Sequence, residues 1–283
     1  MQPPLEFESG TRSFPPLTSL LVEGRDGATF LNGQFTCDVT ALPDGHCQWG
    51  GYCSPKGRLL TTFRIGRLGD AWALQLPAVL ATDFVTRLRR FVLRAKVTFT
   101  ELGTRCEAGR LASAPPAGTI QRTGSLCVWG LGDGWAAVDI PPGAEPIESI
   151  LPEWSVDIAL GAPWILQATS EAFVPQMVAL DRQGGVSFSK GCYPGQEVVA
   201  RARYLGEVKR HLLRLTLPTG TPAAPGDTVT GAEDRPVGTI LLADRGGATA
   251  DVLGVVDLEA SRDQALRVGS AGVVRAVRVV QDD

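Results

Sequence analysis

The side chains best suited to chemistry cluster between Glu171 and Arg210. The run Lys190-Gly191-Cys192-Tyr193-Pro194-Gly195-Gln196-Glu197 holds a thiol, an ammonium and two glycines within eight residues. Gly191 lets the backbone bend beside the sulfur, and Pro194 marks a place where a helix can begin. Gln196 to Tyr204 reads as helical, with Val198, Val199 and Ala202 offering an apolar face. Glu197 and Arg201 are then an i,i+4 pair, worth about 0.3 kcal/mol if exposed. Cys192 stands just ahead of that helix, two residues from Lys190. Helix dipole and ammonium both favour a thiolate, which makes this sulfur the chain's best candidate for a lowered pKa. The same spacing permits two other arrangements. The free backbone N–H groups and Lys190 hold a ligand carboxylate, or the thiol packs inertly and the lysine is solvated.

The other cysteines, Cys37, Cys47, Cys53, Cys106 and Cys127, form no Cys-x-x-Cys pair and are spread too widely for a compact disulfide framework. Most are expected to be small buried hydrophobes. His46, Cys47 and Cys53 do not have the spacing of a closed zinc site, so no metal is assigned. The 283 residues suffice for about two domains. A net charge of -3, from 27 basic and 30 acidic residues, gives no overall attraction to nucleic acid or anionic membrane, so any anion site must be local. No apolar run approaches the roughly 18 residues of a membrane span, and Met1 to Ser13 lacks the features of a signal peptide. The cytoplasm is the expected location, with no membrane partner.

The elements that must position these residues are legible in part. Leu20 to Gln34 reads as strand, turn and helix, with Asp26 as N-cap and Gly33 near the end. Gln48 to Cys53 and Arg58 to Leu68 form a hairpin around Ser54-Pro55-Lys56-Gly57, and Ala71 to Leu76 adds a strand. Pro77 opens a helix to about Val92 whose apolar positions are Val79, Leu80, Phe84, Leu88 and Phe91. Val97 to Leu102 is a strand, Ala112 to Gly118 a proline-rich connector, and Ser125 to Gly130 with Gly134 to Ile140 a second hairpin turning at Leu131-Gly132-Asp133. The Gly-x-Gly there lacks a following helix and is a turn, not a dinucleotide loop. Pro152 to Leu160 is a short helix. The strand-like segments Arg210–Leu217, Thr228–Thr230, Pro236–Ala243, Ala248–Asp257 and Gly272–Val280 predict a small antiparallel barrel or sandwich. Few strand–helix–strand repeats occur, so the class is α+β rather than a parallel sheet.

Residues 190–197 match, without a gap, the Lys-Gly-Cys-(Tyr/Phe)-x-Gly-Gln-Glu signature of the YgfZ family. Ala200 to Arg210, Glu171-x-Phe-x-Pro-Gln, Val22 to Asp38 and Tyr52 to Arg58 resemble further family motifs, so the resemblance spans most of residues 20–212. It implies an aminomethyltransferase-like fold: a bipartite α+β folate-binding body over residues 1–207, with a connector near 103–118, and a C-terminal antiparallel β-barrel over 208–283. It implies binding of tetrahydrofolate or a one-carbon derivative. It also implies support of iron–sulfur assembly or repair and, through iron–sulfur enzymes, of tRNA modification. The expected partners are iron–sulfur enzymes or assembly proteins rather than nucleic acid. Under this resemblance Cys192 is the working thiol and Lys190 its activating cation. Glu171, Gln176, Tyr193, Gln196 and Arg201 are the candidate folate-side residues: Glu171, against an ordinary loop carboxylate, and Gln176 for the pterin ring, and Arg201 with Arg203 for the glutamate tail, against the surface ion pairs such arginines more often form. Trp49, Trp129 and Trp164 are core residues by default, with stacking on a ligand as the alternative. Arg87, Arg89, Arg90, Arg94 and Lys96 read as a solvated helix face, against a nucleic-acid stripe. Two departures are visible. Aminomethyltransferases carry an acidic pair where this chain has Thr61-Thr62, which argues against glycine-cleavage chemistry. Ala179 stands where relatives usually have Asn. The rival reading is a folate-dependent one-carbon transferase or demethylase.

Overall fold

In a computed structural model, residues 6–8, 10–124, 126–143, 151–204, 206, 208–244, 250–263, 266–273 and 275–279 are described. Three antiparallel sheets carry the chain. The first has the order β2-β3-β4-β1-β5, made of β1 (Leu17–Glu23), β2 (Cys47–Cys53), β3 (Leu59–Leu68), β4 (Ala71–Pro77) and β5 (Thr98–Glu101). Two helices belong to it, α1 (Gly27–Asn32) and α2 (Ala78–Arg89). The second sheet, β6-β9-β8-β7, contains β6 (Arg105–Arg110), β7 (Ile120–Thr123), β8 (Leu126–Gly132) and β9 (Trp135–Ile140). After α3 (Ser155–Leu160) and α4 (Gln196–Tyr204) comes a curled seven-stranded sheet. It is built from β10 (Arg210–Thr216), β11 (Thr228–Thr230), β12 (Pro236–Leu242), β13 (Asp251–Asp257), β14 (Arg267–Val268), β15 (Ala271–Gly272) and β16 (Arg275–Arg278), with α5 (Leu258–Asp263) after β13. The α+β class, with a C-terminal antiparallel sheet, is the expected one. Among the described residues no helix is long and apolar enough to cross a membrane.

Local chemistry explains most of the elements. Gly57 closes the β2–β3 hairpin at φ 69°, with the Ser54 N–H bonded to Arg58 O at 2.8 Å. The second hairpin turns one residue later than expected: Gly132 pairs with Trp135, and Asp133-Gly134 take positive φ at both positions, the favoured two-residue hairpin turn. Asp26 sits at the start of α1 but makes no side-chain cap; its carboxylate accepts instead from the Lys96 N–H at 2.7 Å, tying α1 to the segment after α2. Gly33 ends α1 in right-handed conformation, so it acts there without any left-handed turn. The proline-rich stretch 112–118 lies within the second sheet, between β6 and β7, while the chain passes from the first sheet to the second over residues 102–104.

Helix α2 buries Leu80, Ala81, Phe84, Val85 and Leu88 against the first sheet. Val79 and Phe91, expected on the same face, are exposed: Val79 lies in the first turn on the outer side with Asp83, and Phe91 follows the end of the helix at Arg89, where the chain turns away. Phe84 joins Phe35, Tyr52 and Phe63 in an aromatic cluster, its ring 5.8 Å from that of Phe35. In the C-terminal sheet α5, β14 and β15 had no sequence counterpart, being too short for periodicity to register. The expected strand ends at Ala248 and Val280, the start at Ser125 and part of the turn after α4 fall outside the described residues.

Candidate functional site

Between the first two sheets, flanked by the end of α3, lies a cavity of about 310 Å³. Trp49 and Arg64 from β2 and β3 form one wall, Gly130 and Leu131 from β8 another, and Gln183 borders it with Ala162. Its volume is at the small end of ligand pockets, enough for a bicyclic ring with its tail in solvent. Arg64 is a buried charge in the middle of β3, and it must be compensated. Its guanidinium lies 4.9 Å from the Trp49 ring centroid and 4.9 Å from that of Trp164, and the two indoles meet edge to face. It donates to Asp157 Oδ1 at 3.0 Å and to Gln75 Oε1 at 2.8 Å.

The polar chain continues inward. Gln75 Nε2 donates to Asp139 Oδ1 at 2.6 Å, and Asp139 Oδ2 accepts from Ser19 at 2.6 Å and from the Trp129 indole at 2.7 Å. Burial pushes the Asp139 pKa up, against the pull of those three hydrogen bonds and of Arg64. Asp157 also accepts from the Trp164 indole at 2.7 Å, while its Oδ2 is buried with no partner among the described residues. The cluster thus links β1, β3, β4, β8, β9 and α3 through side chains and fixes the cavity wall. Trp129 and Trp164 are core residues; Trp49 is the indole that also borders the cavity.

The sequence candidates fall elsewhere. α4 spans the expected Gln196 to Tyr204. Ahead of it, the loop docks on the first hairpin by backbone contact. A Cβ on Gly195, at φ 79°, would sit 2.4 Å from Ser54 O and 2.6 Å from Gly57 N. The two glycine-bearing motifs therefore meet in space: a Cβ on Gly195 would strike the Gly57 backbone, and one on Gly57 would lie 2.7 Å from the Val198 Cβ. Cys192 is the one exposed cysteine of the six. Lys190 is not aimed at it. The ammonium turns into the end of α1, donating to Asn32 O and, at 2.6 Å, to Phe35 O, with the Tyr193 ring 4.9 Å away. These carbonyls, left open where α1 ends, explain its direction. Burial lowers the Lys190 pKa, while Cys37 and Asp38 pull it back up. The paired thiol and activating cation expected from their spacing is thus replaced by an outward sulfur and an inward ammonium.

Tyr193 is buried, and desolvation raises its hydroxyl pKa. Its N–H approaches Gln196 Oε1 at 3.4 Å, so Gln196 braces its own loop. Gln176 is buried and donates to Val199 O at 2.7 Å, holding α4; its Oε1 has no partner among the described residues. Glu171 is exposed at φ 62°, its N–H bonded to Leu59 O at 2.7 Å. Arg201 lines a separate groove of about 660 Å³ with Arg58, Met177, Val198, Lys209 and Arg210. Arg203 lies over Phe188 and 3.9 Å from Asp181. None of Cys192, Lys190, Glu171, Gln176, Tyr193, Gln196 and Arg201 is among the residues bordering the Trp49–Arg64 cavity. Thr61 and Thr62 are buried. Thr62 Oγ1 donates to Pro163 O at 2.8 Å and accepts from the Ile165 N–H at 2.9 Å, anchoring the segment that carries Trp164. Sequence reading passed over Arg64, Asp157 and Gln183. The available signal was the charge of Arg64 inside Thr-Thr-Phe-Arg-Ile-Gly.

No family model matches the chain. A curated tRNA-modifying protein YgfZ from Vibrio vulnificus strain CMCP6 is 32% identical over 230 residues, covering 74% of this chain and 70% of the relative. That of Colwellia psychrerythraea strain 34H is 30% identical over 235 residues, covering 75% and 72%. Among solved structures, the glycine cleavage system aminomethyltransferase T of Bartonella henselae superposes with a TM-score of 0.68 over 93% of this chain and 84% of that one, at 14% identity, which establishes a shared fold. The fold is aminomethyltransferase-like, and by its sequence the chain belongs to the YgfZ family.

Proposed function

We propose that the chain binds a reduced folate, tetrahydrofolate or a one-carbon derivative, in the cavity between the first two sheets, and that in this state it supports iron–sulfur enzymes that modify tRNA. The observation that carries the first part is the wall formed by Trp49 and Arg64. An indole supplies a flat apolar surface for a heterobicycle. Two of the five guanidinium N–H donors of Arg64 are engaged by Asp157 and Gln75, and others remain for a ring carbonyl. Gln183 donates to Gly161 O at 3.3 Å, and its amide oxygen is an acceptor for a ring N–H. The chemistry a reduced folate supplies is carriage of a one-carbon unit. The residues present fit holding the ring. With a threonine anchored to the Trp164 segment where aminomethyltransferases have a carboxylate, they offer no acid at that position.

The second part draws on the relatives, which are named as tRNA-modifying proteins. It assigns Cys192, exposed and ahead of α4, to contact with a protein partner or its cluster rather than with folate. The two regions expected over 1–207 and 208–283 correspond in this proposal to a ligand-holding body and a C-terminal sheet that closes one side of the Arg201 groove.

Titration with tetrahydrofolate under anaerobic conditions, followed by tryptophan fluorescence, tests the first part. Saturable quenching is expected, with affinity reduced at least tenfold in Trp49→Leu and in Gln183→Leu. Absence of a saturable signal at high micromolar ligand, in protein that melts normally, removes the folate assignment. Cells lacking the protein should have lower levels of thiolated tRNA nucleosides; unchanged levels remove the iron–sulfur part and leave the folate part standing.

A further inference from the structure

The segment after α2 departs most from its sequence expectation. Phe91, expected in the core, is 52% exposed, and Leu93 is 87% exposed. Around them Arg87, Arg89, Arg90, Arg94 and Lys96 are all exposed as well. Among the described residues none of these five cations forms an ion pair with a carboxylate. Asp26, which reaches this segment, gives its carboxylate to the backbone N–H of Lys96 and so leaves the ammonium free. Ten consecutive residues therefore present five uncompensated cations and two bare apolar side chains, on a chain whose net charge is -3. The segment is also held firmly beneath. Leu88 and Phe84 are buried, and the Phe84 ring stacks on Phe35, whose carbonyl receives the Lys190 ammonium.

We infer that this surface binds single-stranded RNA, with the arginines and Lys96 on phosphates and Phe91 stacked on a base. Three kinds of polyanion are compatible with the charge, and composition separates them. The core of a protein–protein interface is depleted of charge, whereas this patch has more cations than apolar groups. A basic cluster engages an anionic membrane from an amphipathic helix or beside a membrane anchor, whereas Phe91 and Leu93 lie beyond the end of α2 and form no helical apolar face. A dense cation field interleaved with a single exposed aromatic ring is the composition of a single-strand surface, where cations follow the backbone and a ring takes the base. The inference is independent of the folate cavity, which none of these residues borders.

The test uses the full chain and a short fluorescently labelled poly-uridine strand, with binding measured by anisotropy across a salt series. Binding is expected at low salt and should weaken as salt rises. Replacing Arg90 and Arg94 together with Ala removes two phosphate contacts, so the logarithmic salt slope should flatten by about 1.4. Phe91→Ala should weaken binding by about tenfold with the slope unchanged, because stacking releases no counterion. All three positions are exposed, so the variants should melt as the parent does. The inference is overturned if the parent does not bind the strand at low salt, or if both variants bind as the parent does. It is also overturned if vesicles containing phosphatidylserine bind through these residues while RNA does not.

Discussion

The interior around Arg64 and the loop around Lys190 both place a cation among oxygen acceptors, and the two solve the problem of burial differently. Arg64 is compensated by side chains from distant parts of the chain: Asp157 lies 93 residues away and Gln75 in the neighbouring strand. Lys190 is compensated by backbone carbonyls at the end of α1. An acid and a base that neutralise each other must be buried together, so the first arrangement fixes three elements at once. Carbonyls carry only partial charge, so the second leaves a net positive charge near the surface and lowers the lysine's pKa by desolvation. The rigid wall of the cavity and the exposed thiol loop are thus separate devices, and the Ser54–Gly57 hairpin and the Phe35 segment are among their links.

The sharpest way to break that comparison is to remove the acid. Asp157→Ala leaves Arg64 buried with Gln75 alone and strands the Trp164 N–H. Loss of about 4 kcal/mol in urea unfolding is expected. A loss below about 1 kcal/mol would mean that the interior cluster does not hold the sheets together.

Next comes the docking of the loop. Gly195→Ala must move the backbone of Ser54 or Gly57 and also takes an unfavourable positive φ, so about 2 kcal/mol should be lost, with faster amide exchange in the loop. Gly191→Ala is the control: nothing lies within 4 Å of the added carbon, and stability should stay within about 0.5 kcal/mol of the parent. Equal losses in the two variants would erase the distinction between a glycine held by close approach and one that is not.

What could be read beforehand follows the same division. α4 was legible to the residue because Pro194 and Gly195 mark its start and Gln, Glu, Ala and Arg make up six of its nine residues. The β2–β3 hairpin was legible from four turn residues. The Arg64 cluster was not, because hydrogen bonds over 64 and 93 residues leave no local pattern. Lys190 shows the limit of spacing as a guide. Two residues from a thiol in sequence, its ammonium takes the open end of a six-residue helix that precedes it by more than 150 residues. Phe91 shows another limit: helical periodicity continues past Arg89 in sequence, but the backbone turns, and the side chain is left outside.

Lys190→Met keeps the length of the side chain and removes its donors, with an expected loss of about 1.5 kcal/mol near neutral pH. Its pH dependence identifies the cause. The lysine's folded pKa lies below its ordinary 10.5, so the unfolded chain binds this proton more tightly. Stability of the parent relative to the variant should then rise as pH climbs from the lowered value toward 10.5, because the folded state gives up the proton first. A relative stability that stays flat over this window and falls only above pH 10.5 would mean that the carbonyls favour the charged form by more than burial disfavours it, and Lys190 would resemble Arg64 after all.

The smallest effect on stability belongs to the sulfur. Cys192 is exposed, whereas burial pushes Cys37 and Cys53 up to about 12 and Cys47 and Cys127 up to about 11, and Cys106 well above its ordinary value. Thiolates alkylate and thiols do not, so iodoacetamide at mildly alkaline pH should modify a single site quickly, and the other five only as fast as the protein opens. Cys192→Ser should remove the fast phase and change stability by less than about 0.5 kcal/mol. Rapid modification at Cys47, the half-buried cysteine that borders the cavity, would show that the wall opens without global unfolding. Suppression of that reaction by added tetrahydrofolate would then tie the opening to the ligand, since a ring seated against Trp49 covers the same wall.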